Sequence, residues 1–167
     1  ANEIRRFHTG ELLLNYTRKF KNPEQTLTFN ASSAIEYNRE NTDLSTQTLS
    51  EQDIPIGNPF LQKTHNYEDA NLTNFSVDYV HPIKEKGMIE TGYKGILRFI
   101  DVDFLRSDQL GGNFVTDSIN TDLFKFNEQI HAAYLQYTGW IGDKQDPKWK
   151  YNAGIRAEQV FNEGNTI

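Results

Sequence analysis

The stretch Lys148-Trp-Lys-Tyr-Asn-Ala-Gly-Ile-Arg-Ala-Glu-Gln-Val-Phe161 decides the fold class, because apolar and polar side chains alternate along it. An alternation with a period of two is the pattern of a β-strand with one apolar and one polar face. One face of the predicted strand carries Trp149, Tyr151, Ala153, Ile155, Ala157, Gln159 and Phe161, of which only Gln159 is polar. The other face carries Lys150, Asn152, Gly154, Arg156 and Glu158.

The apolar face of this stretch is long enough to cross a membrane. From Trp149 to Phe161 a strand rises roughly 40 Å at about 3.3 Å per residue, and a tilt of about 40° reduces the span to roughly 30 Å. Outer-membrane barrels present an apolar band ~25 Å tall with aromatic residues at both edges. A soluble strand that packs its apolar face into a core shows the same alternation, so both alternatives stay open at this point.

The composition excludes several classes of protein. The 167 residues carry a formal net charge of −6, which gives a nucleic-acid partner no electrostatic support. The sequence has no apolar run of about eighteen residues, which excludes a transmembrane helix but not a barrel of alternating strands. Cysteine is absent, so neither a disulfide framework nor a thiolate metal site is expected. The length fits one domain or part of a larger one.

The same alternation predicts five more strands, at residues 12–20, 27–38, 75–79, 89–99 and 124–141. Residues 1–9 show no clear period. The strand at 124–141 is the least regular, because one face combines Phe126, Ile130, Ala132, Tyr134 and Trp140 with Glu128 and Gln136. This face is expected to be the outward one, and Glu128 is a misfit on it. Facing lipid, Glu128 is tolerated only near the headgroups, and a β-bulge that re-aims its side chain is an equal alternative.

The connections between the predicted strands alternate in length. Short turns are predicted at 21–25, 81–87 and 143–147. Long connections are predicted at about 39–71, where the flanking strands can extend inwards but the middle is a long polar loop, and at about 101–121. Outer-membrane barrels combine short periplasmic turns with longer extracellular loops. The pattern therefore predicts an all-β fold, an antiparallel up-and-down meander of about six long strands that forms part of a transmembrane β-barrel.

Three short motifs resemble those of a known family. They are Val77-Asp-Tyr-Val-His-Pro82 with Gly87-Met-Ile-Glu-Thr-Gly-Tyr-Lys94, Phe126-Asn-Glu-Gln-Ile-His-Ala-Ala-Tyr134, and Ala153-Gly-Ile-Arg-Ala-Glu158. In this order and at roughly this spacing they resemble motifs of the Bacteroidetes outer-membrane β-barrel family, the barrel region of TonB-dependent receptors and transporters. The resemblance covers about residues 75–159, and residues 1–74 are compatible with it but hold no sharp motif.

The resemblance implies that residues 1–167 are a partial β-barrel domain, with no plug domain present, of a receptor that takes up a large nutrient or chelate through the outer membrane. It implies outer-membrane lipid, the rest of the barrel, a plug domain and TonB as partners, and neither enzymatic activity nor a cofactor. Membrane barrels have about eight strands or more, and plugged transporters about 22, so six strands are expected to be a fragment. The free edges of an isolated fragment are expected to self-associate.

Two other functions remain as alternatives. A soluble antiparallel β-domain, acting as a ligand-binding or adhesion module, predicts that Phe29, Tyr93 and Ile155 pack on each other in a dry core. A membrane-barrel hydrolase or acyltransferase requires acids and a histidine that converge at the outer rim, and His81 and His131 lie towards the wrong places for it.

No catalytic, cofactor-binding or metal-binding residue is predicted, and the ligand-binding residues stay unknown. The four histidines, His8, His65, His81 and His131, are scattered along the chain. Asp101 and Asp103 share a face where a strand enters a loop. They suit a hard cation, but a solvated acidic loop base is the favoured interpretation.

Charged residues on the predicted strands have two expected locations. A set predicted to face the interior consists of Asp78, Glu90, Lys94, Arg98, Arg156 and Glu158. Cross-strand ion pairs that fix the register are favoured for this set over contacts with a substrate or plug. Arg18 is expected to reach from the apolar face to the membrane interface.

Overall fold

The computed structural model describes residues 1–84 and 86–166, which form a single antiparallel sheet. Its strands are β1 (Asn2–Lys19), β2 (Thr26–Leu49), β3 (Pro55–Ile83), β4 (Gly87–Leu110), β5 (Asn113–Thr116), β6 (Asp122–Gly142) and β7 (Pro147–Thr166). Six long strands pair in the order β1-β2-β3-β4-β6-β7, and the short β5 pairs with the end of β4. This arrangement confirms the predicted all-β meander, and its two edges, β1 and β7, do not pair with each other. Within the described residues, no helix is long and apolar enough to span a membrane.

The two connections predicted as long loops are hairpins. β2 continues to Leu49 and β3 begins at Pro55, so only residues 50–54 turn within the predicted loop at 39–71. β4 likewise continues to Leu110 before β5, and the chain then bends at 117–121. Residues 2–9, which show no period, belong to β1. The predictions of long loops at 39–71 and 101–121 are therefore wrong.

Polar pairs across the strands explain why the β2–β3 hairpin lacks an apolar period. Arg39 forms an ion pair with Asp69, and Lys63 Nζ lies 3.9 Å from Asp43 Oδ1. β3 is paired with β2 on one side and with β4 on the other along residues 62–80, so its backbone groups are satisfied without an apolar face. A period-two pattern marks a strand with one apolar face, and it misses strands that are polar on both.

Short turns close the other end of the sheet, as predicted. Between β1 and β2, the Gln25 amide donates to the Asn22 carbonyl at 3.0 Å, and the Glu24 amide donates to Asn22 Oδ1 at 3.1 Å. Between β6 and β7, the Gln145 amide donates to Asp143 Oδ1 at 2.9 Å. Asn and Asp side chains that bond the backbone two residues further on are a common way to close a tight turn.

The short turns step along the sheet, and this stagger indicates the tilt of the strands. Thr26, the first residue of β2, lies opposite Val80, three residues before the end of β3. Gly87, the first residue of β4, lies opposite Gly139, three residues before the end of β6. Three residues rise about 10 Å and two strands span about 9.6 Å, so turns at one common level require a tilt of about 45°. Membrane barrels tilt their strands by about 35–45°.

The sheet has one layer and therefore no dry core. Ala132, at 4% exposure, is the one buried apolar side chain in the part of the chain that the structure describes. Ile155 is 73% exposed and Tyr93 37%, and Phe29 lies on β2, separated from both by at least one strand. The prediction that these three side chains pack together, as in a soluble β-domain, is wrong. A single sheet requires a second layer or a nonaqueous environment to cover an apolar face.

The side chain of Tyr134 connects three strands in the middle of the sheet. Gly92 of β4 lies directly opposite both Tyr134 of β6 and Asp78 of β3. The Tyr134 side chain crosses Gly92, and its hydroxyl donates to Asp78 Oδ1 at 2.8 Å. This crossing requires a glycine, because a Cβ at Gly92 would lie 2.5 Å from Asp78 Oδ1 and would overlap the Tyr134 ring.

We expect Gly92→Ala to lower the free energy of unfolding by about 1–3 kcal/mol, because the added methyl group displaces the tyrosine ring or the carboxylate. Gly10→Ala is the matched control, since a Cβ at Gly10 of β1 meets no atom within 4 Å. It is expected to be neutral or slightly stabilising. Urea unfolding of the protein in lipid vesicles, followed by the fluorescence of Trp140 and Trp149, measures both variants. Equal free energies of unfolding of the two variants would contradict the stabilising role of the contact between Tyr134 and Asp78.

Candidate functional site

The register assigns every side chain of the long strands to one of two faces, because directly opposite residues in neighbouring strands point to the same side. One row across all six long strands consists of Tyr16, Phe29, Val77, Tyr93, Ala133 and Ala157. We call the side of this row the belt face and the opposite side the groove face. The apolar face predicted for the stretch from Trp149 to Phe161, which lies in β7, is on the belt face.

The face predicted for β6 is wrong. Leu135 lies opposite Ile155, so the odd-numbered residues of β6 are on the belt face and the even-numbered ones, including Glu128, are on the groove face. Glu128 Oε2 accepts a hydrogen bond from Arg98 Nη1 at 2.8 Å, so its position requires neither lipid headgroups nor a bulge. The alternation was misleading because apolar side chains such as Phe126 also occur on the groove face of β6.

The belt face carries an apolar band that is left exposed. Its most exposed members are Leu12 at 72%, Trp149 at 72% and Ile155 at 73%. Aromatic contacts connect strands within the band. The Phe75 and Tyr93 ring centroids are 5.8 Å apart, and the Tyr93 hydroxyl lies 2.6 Å from His131 Nδ1. Apolar surface of this extent requires lipid or another nonaqueous partner.

Charged side chains lie at both ends of the band. Arg18, near the turn end of β1, lies on the belt face with its guanidinium 5.1 Å from the centroid of the Phe20 ring. This position fits a long side chain that reaches the membrane interface. At the other end, Asp101 of β4 pairs with Lys125 of β6 at 3.2 Å, and Asp103 follows on the same face. The pairing of Asp101 agrees with a solvated acidic pair rather than a cation site.

All four histidines lie on the belt face, at separate places, namely His8, His65, His81 and His131. His81 Nδ1 lies 3.2 Å from the Tyr79 hydroxyl, and His131 contacts Tyr93. The structure does not bring His81 and His131 together with acids, as a hydrolase at the rim requires. Within the described ranges, no group of three or more side chains has an arrangement that could hold a metal ion.

The groove face carries all six charged residues predicted to face the interior, namely Asp78, Glu90, Lys94, Arg98, Arg156 and Glu158. Arg98 forms the predicted kind of cross-strand ion pair, with Glu128. Arg156 pairs along its own strand with Glu158 at 2.6 Å, and Glu90 accepts from Gln136 at 3.2 Å. Ion pairing across strands is therefore part of the explanation, and hydrogen bonds to neutral partners add to it.

A groove of about 400 Å³ on this face is lined by residues from all six long strands. One lining residue from each strand, in sheet order, is Asn15, Asn30, Ser76, Lys94, Tyr134 and Arg156. Towards β1 the polar side chains are uncharged amides and hydroxyls that bond to each other, as Asn30 does to Ser76 at 3.3 Å. Towards β7 they are charged. The sequence predicted the charged half but not the amide half, because Asn and Ser are equally common in turns and loops.

A one-layer sheet with an apolar band on one face, a polar groove on the other and short turns that step by three residues over two strands has the features of a segment of a membrane β-barrel. A model of the outer membrane protein beta-barrel family matches residues 18–167, and the chain belongs to this family. No curated protein matches the sequence. The protein is therefore located in the outer membrane, where the belt face meets lipid and the groove face lines the barrel interior.

We expect Ile155→Arg to destabilise the protein by about 2–4 kcal/mol, the cost of a charged side chain on a lipid-facing surface near the middle of the bilayer. Asn152→Arg is the matched control, because Asn152 lies on the same strand but on the groove face, where an arginine reaches water. Urea unfolding from lipid vesicles compares the two variants. Similar losses of stability would contradict the assignment of the faces.

The Arg98–Glu128 pair is expected to help fix the register between β4 and β6. Arg98→Glu places two carboxylates opposite each other and is expected to cost about 1 kcal/mol, since the pair is partly exposed. The double variant Arg98→Glu with Glu128→Arg is expected to recover most of that loss. Unfolding free energies of the wild type, both single variants and the double variant form a complete cycle. Strict additivity of the two reversals would show that the pair does not couple.

Proposed function

We propose that the protein is part of the barrel of a TonB-dependent receptor that takes up a large nutrient or chelate across the outer membrane. The observation that carries the proposal is a wet groove face combined with hairpins that extend beyond the apolar band at one end only. β2 continues twelve residues past Tyr37, the last apolar belt-face residue before Arg39, to Leu49, which is about 40 Å of strand. Hairpins of this length supply the outer surface that a receptor needs to capture a large ligand.

Small polar side chains on the groove face support a wide barrel. Six strands at a spacing of about 4.8 Å cover only about 29 Å of the circumference of a barrel. A barrel of about eight strands is narrow enough for its own side chains to fill the interior. The groove face instead combines Asn15, Ser32, Ser76 and Gly92 with charged residues, and it leaves an open groove. A wide, wet interior is what a barrel requires to house a plug domain.

In this proposal the barrel catalyses no reaction and requires no cofactor. Lipid surrounds the belt face, a plug domain lies against the groove face, and TonB supplies energy from the inner membrane. Further strands pair with β1 and β7, whose residues are exposed throughout the length of both strands, apart from the partly exposed Pro147 at the start of β7. Without those strands, the two edges are expected to pair with other copies of the chain.

Uptake by intact cells tests the proposed function. Cells that produce the protein and cells that lack it are grown in a complex medium, and the loss of each medium component is followed by mass spectrometry. We expect the protein to remove one class of large solute, because only a gated wide barrel admits solutes that small passive barrels exclude.

The same cultures with TonB inactivated, or with the proton gradient dissipated, provide the control for energy coupling. The proposal requires that uptake stops in both conditions. Uptake that continues without TonB would indicate a passive channel and would overturn the receptor role, although the membrane location would stand.

A further inference from the structure

Beyond the apolar band, the belt face of β4 becomes polar and its groove face becomes apolar. The belt face of β4 is mainly apolar up to Phe99, and its next two residues are Asp101 and Asp103. The groove face changes in the opposite direction, from Lys94 and Arg98 to apolar residues that continue onto β6. These apolar residues, which we call the apolar wall, are Ile100, Val102, Phe104, Phe124 and Phe126.

The apolar wall is one contiguous surface. Ile100 lies opposite Phe126, and Val102 lies opposite Phe124. The two phenylalanine rings stack with their centroids 6.4 Å apart and an angle of 12° between their planes. Phe124 is 36% exposed, so the wall is accessible from the interior side. Lipid does not cover it, because it lies on the groove face and beyond the apolar band.

Arginines bound the wall at both ends, and both are paired within the chain. Arg98, on the membrane side, pairs with Glu128. Arg106, on the far side, donates two hydrogen bonds of 3.1 Å to Asp108 and lies 3.6 Å from Asp117. The bond to Asp108 raises the pKa of Arg106 above its ordinary value. Neither guanidinium therefore leaves an unmatched positive charge beside the wall.

Carboxylates beside the wall lack such partners. They are Glu36, Glu40, Glu68 and Asp122, on the groove face of β2, β3 and β6. Glu68 lies directly opposite Val102 of the wall. Within the described part of the chain, none of the four forms an ion pair. Arg5 lies opposite Glu40 but donates to Asn38 at 3.3 Å. The surface beside the wall is therefore apolar and net negative.

We propose that the apolar wall and these carboxylates bind a cationic ligand with apolar groups, a basic oligopeptide with aromatic side chains. This inference rests on the proposed receptor function, since the wall then lines the entrance to the barrel. The apolar groups of the ligand cover the wall, and its ammonium or guanidinium groups pair with Glu68 and its neighbours. Cations also stack favourably on phenylalanine rings.

Protection of a single cysteine tests the inference in intact cells, and residues 1–167 contain no cysteine that would compete with it. Asn66→Cys serves as the reporter, because Asn66 lies opposite both Glu40 and Phe104 on the groove face. A membrane-impermeant maleimide measures its reactivity in the presence of a Lys- and Phe-containing hexapeptide. Two control peptides replace Lys by Glu or Phe by Ser.

The basic aromatic peptide, at about ten times its Kd, is expected to slow labelling about tenfold, and the two control peptides are not. Phe124→Ser and Glu68→Gln, each added to the reporter, are expected to abolish most of this protection. Leu123→Ser is the matched control for Phe124→Ser, because Leu123 lies on the belt face of the same strand. Asp103→Asn is the control for Glu68→Gln, because Asp103 lies on the belt face of the neighbouring strand β4. Leu123 is as exposed as Phe124, at 36%.

Three results would overturn the inference. A reporter that fails to react without peptide shows that the protein itself or a second copy covers the wall. Equal protection by all three peptides, or equal effects of Phe124→Ser and Leu123→Ser, shows that the wall does not select the ligand. Labelling is carried out in cells without TonB, so the outcome is independent of uptake. Peptide binding that protects the cysteine is possible in a passive channel, and a TonB-dependent receptor for another ligand gives no protection. The failure of the ligand inference is therefore distinguishable from the failure of the receptor proposal.

Discussion

The continuous backbone hydrogen-bond ladder from β1 to β7 is the constraint on which the rest of the structure depends. Backbone polar groups inside a bilayer have no water to bond, so each strand must be paired with a neighbour on both sides. The four inner long strands meet this requirement within the chain, and the two edge strands meet it on one side only. Since the sheet has no second layer, the ladder also decides what each face meets. A shift of one residue in any pairing would turn a whole set of apolar side chains from lipid to water.

Side chains on both faces reinforce this register, and glycines provide the space for two of them. Tyr134 crosses Gly92 on the groove face, and the Phe75 ring occupies the position of the missing side chain at Gly95 on the belt face. Aromatic rings that cover glycines on neighbouring strands are a known means of fixing strand register. Each ring fits over the backbone of its glycine in only one register of the two strands. Each contact therefore disfavours a shifted register.

The amino-acid sequence revealed those strands that are apolar on one face and polar on the other. The stretch from Trp149 to Phe161 is of this kind, and its faces agree with the structure. The strands at 39–49 and 55–71 were predicted as a loop because Asn, Asp, Glu and Thr occur on both of their faces. β6 was assigned to the wrong face because Phe126 and Ile130 are apolar on the groove face. The period of a sequence describes each strand separately. The face of β6 follows only from its pairing with β7, where Leu135 lies opposite Ile155. The proposed receptor role and the proposed ligand depend on contacts between strands, which this pattern does not show.

The tip of the β2–β3 hairpin contains an irregularity in the strand pairing. The pairing shifts between Thr46 and Thr48, and the Gln47 side chain donates to the carbonyls of Ile56 and Gly57 at 3.1 and 3.3 Å. An insertion of two residues in each strand of a hairpin preserves which side chains face inwards, whereas a single insertion inverts them. At the tip, Gln47 of β2 alone lies against residues 57–59 of β3, so the pairing shifts by two residues and the faces of both strands stay unchanged. The irregularity therefore lengthens one strand of the outer hairpin without changing which side chains of the sheet face lipid in the membrane.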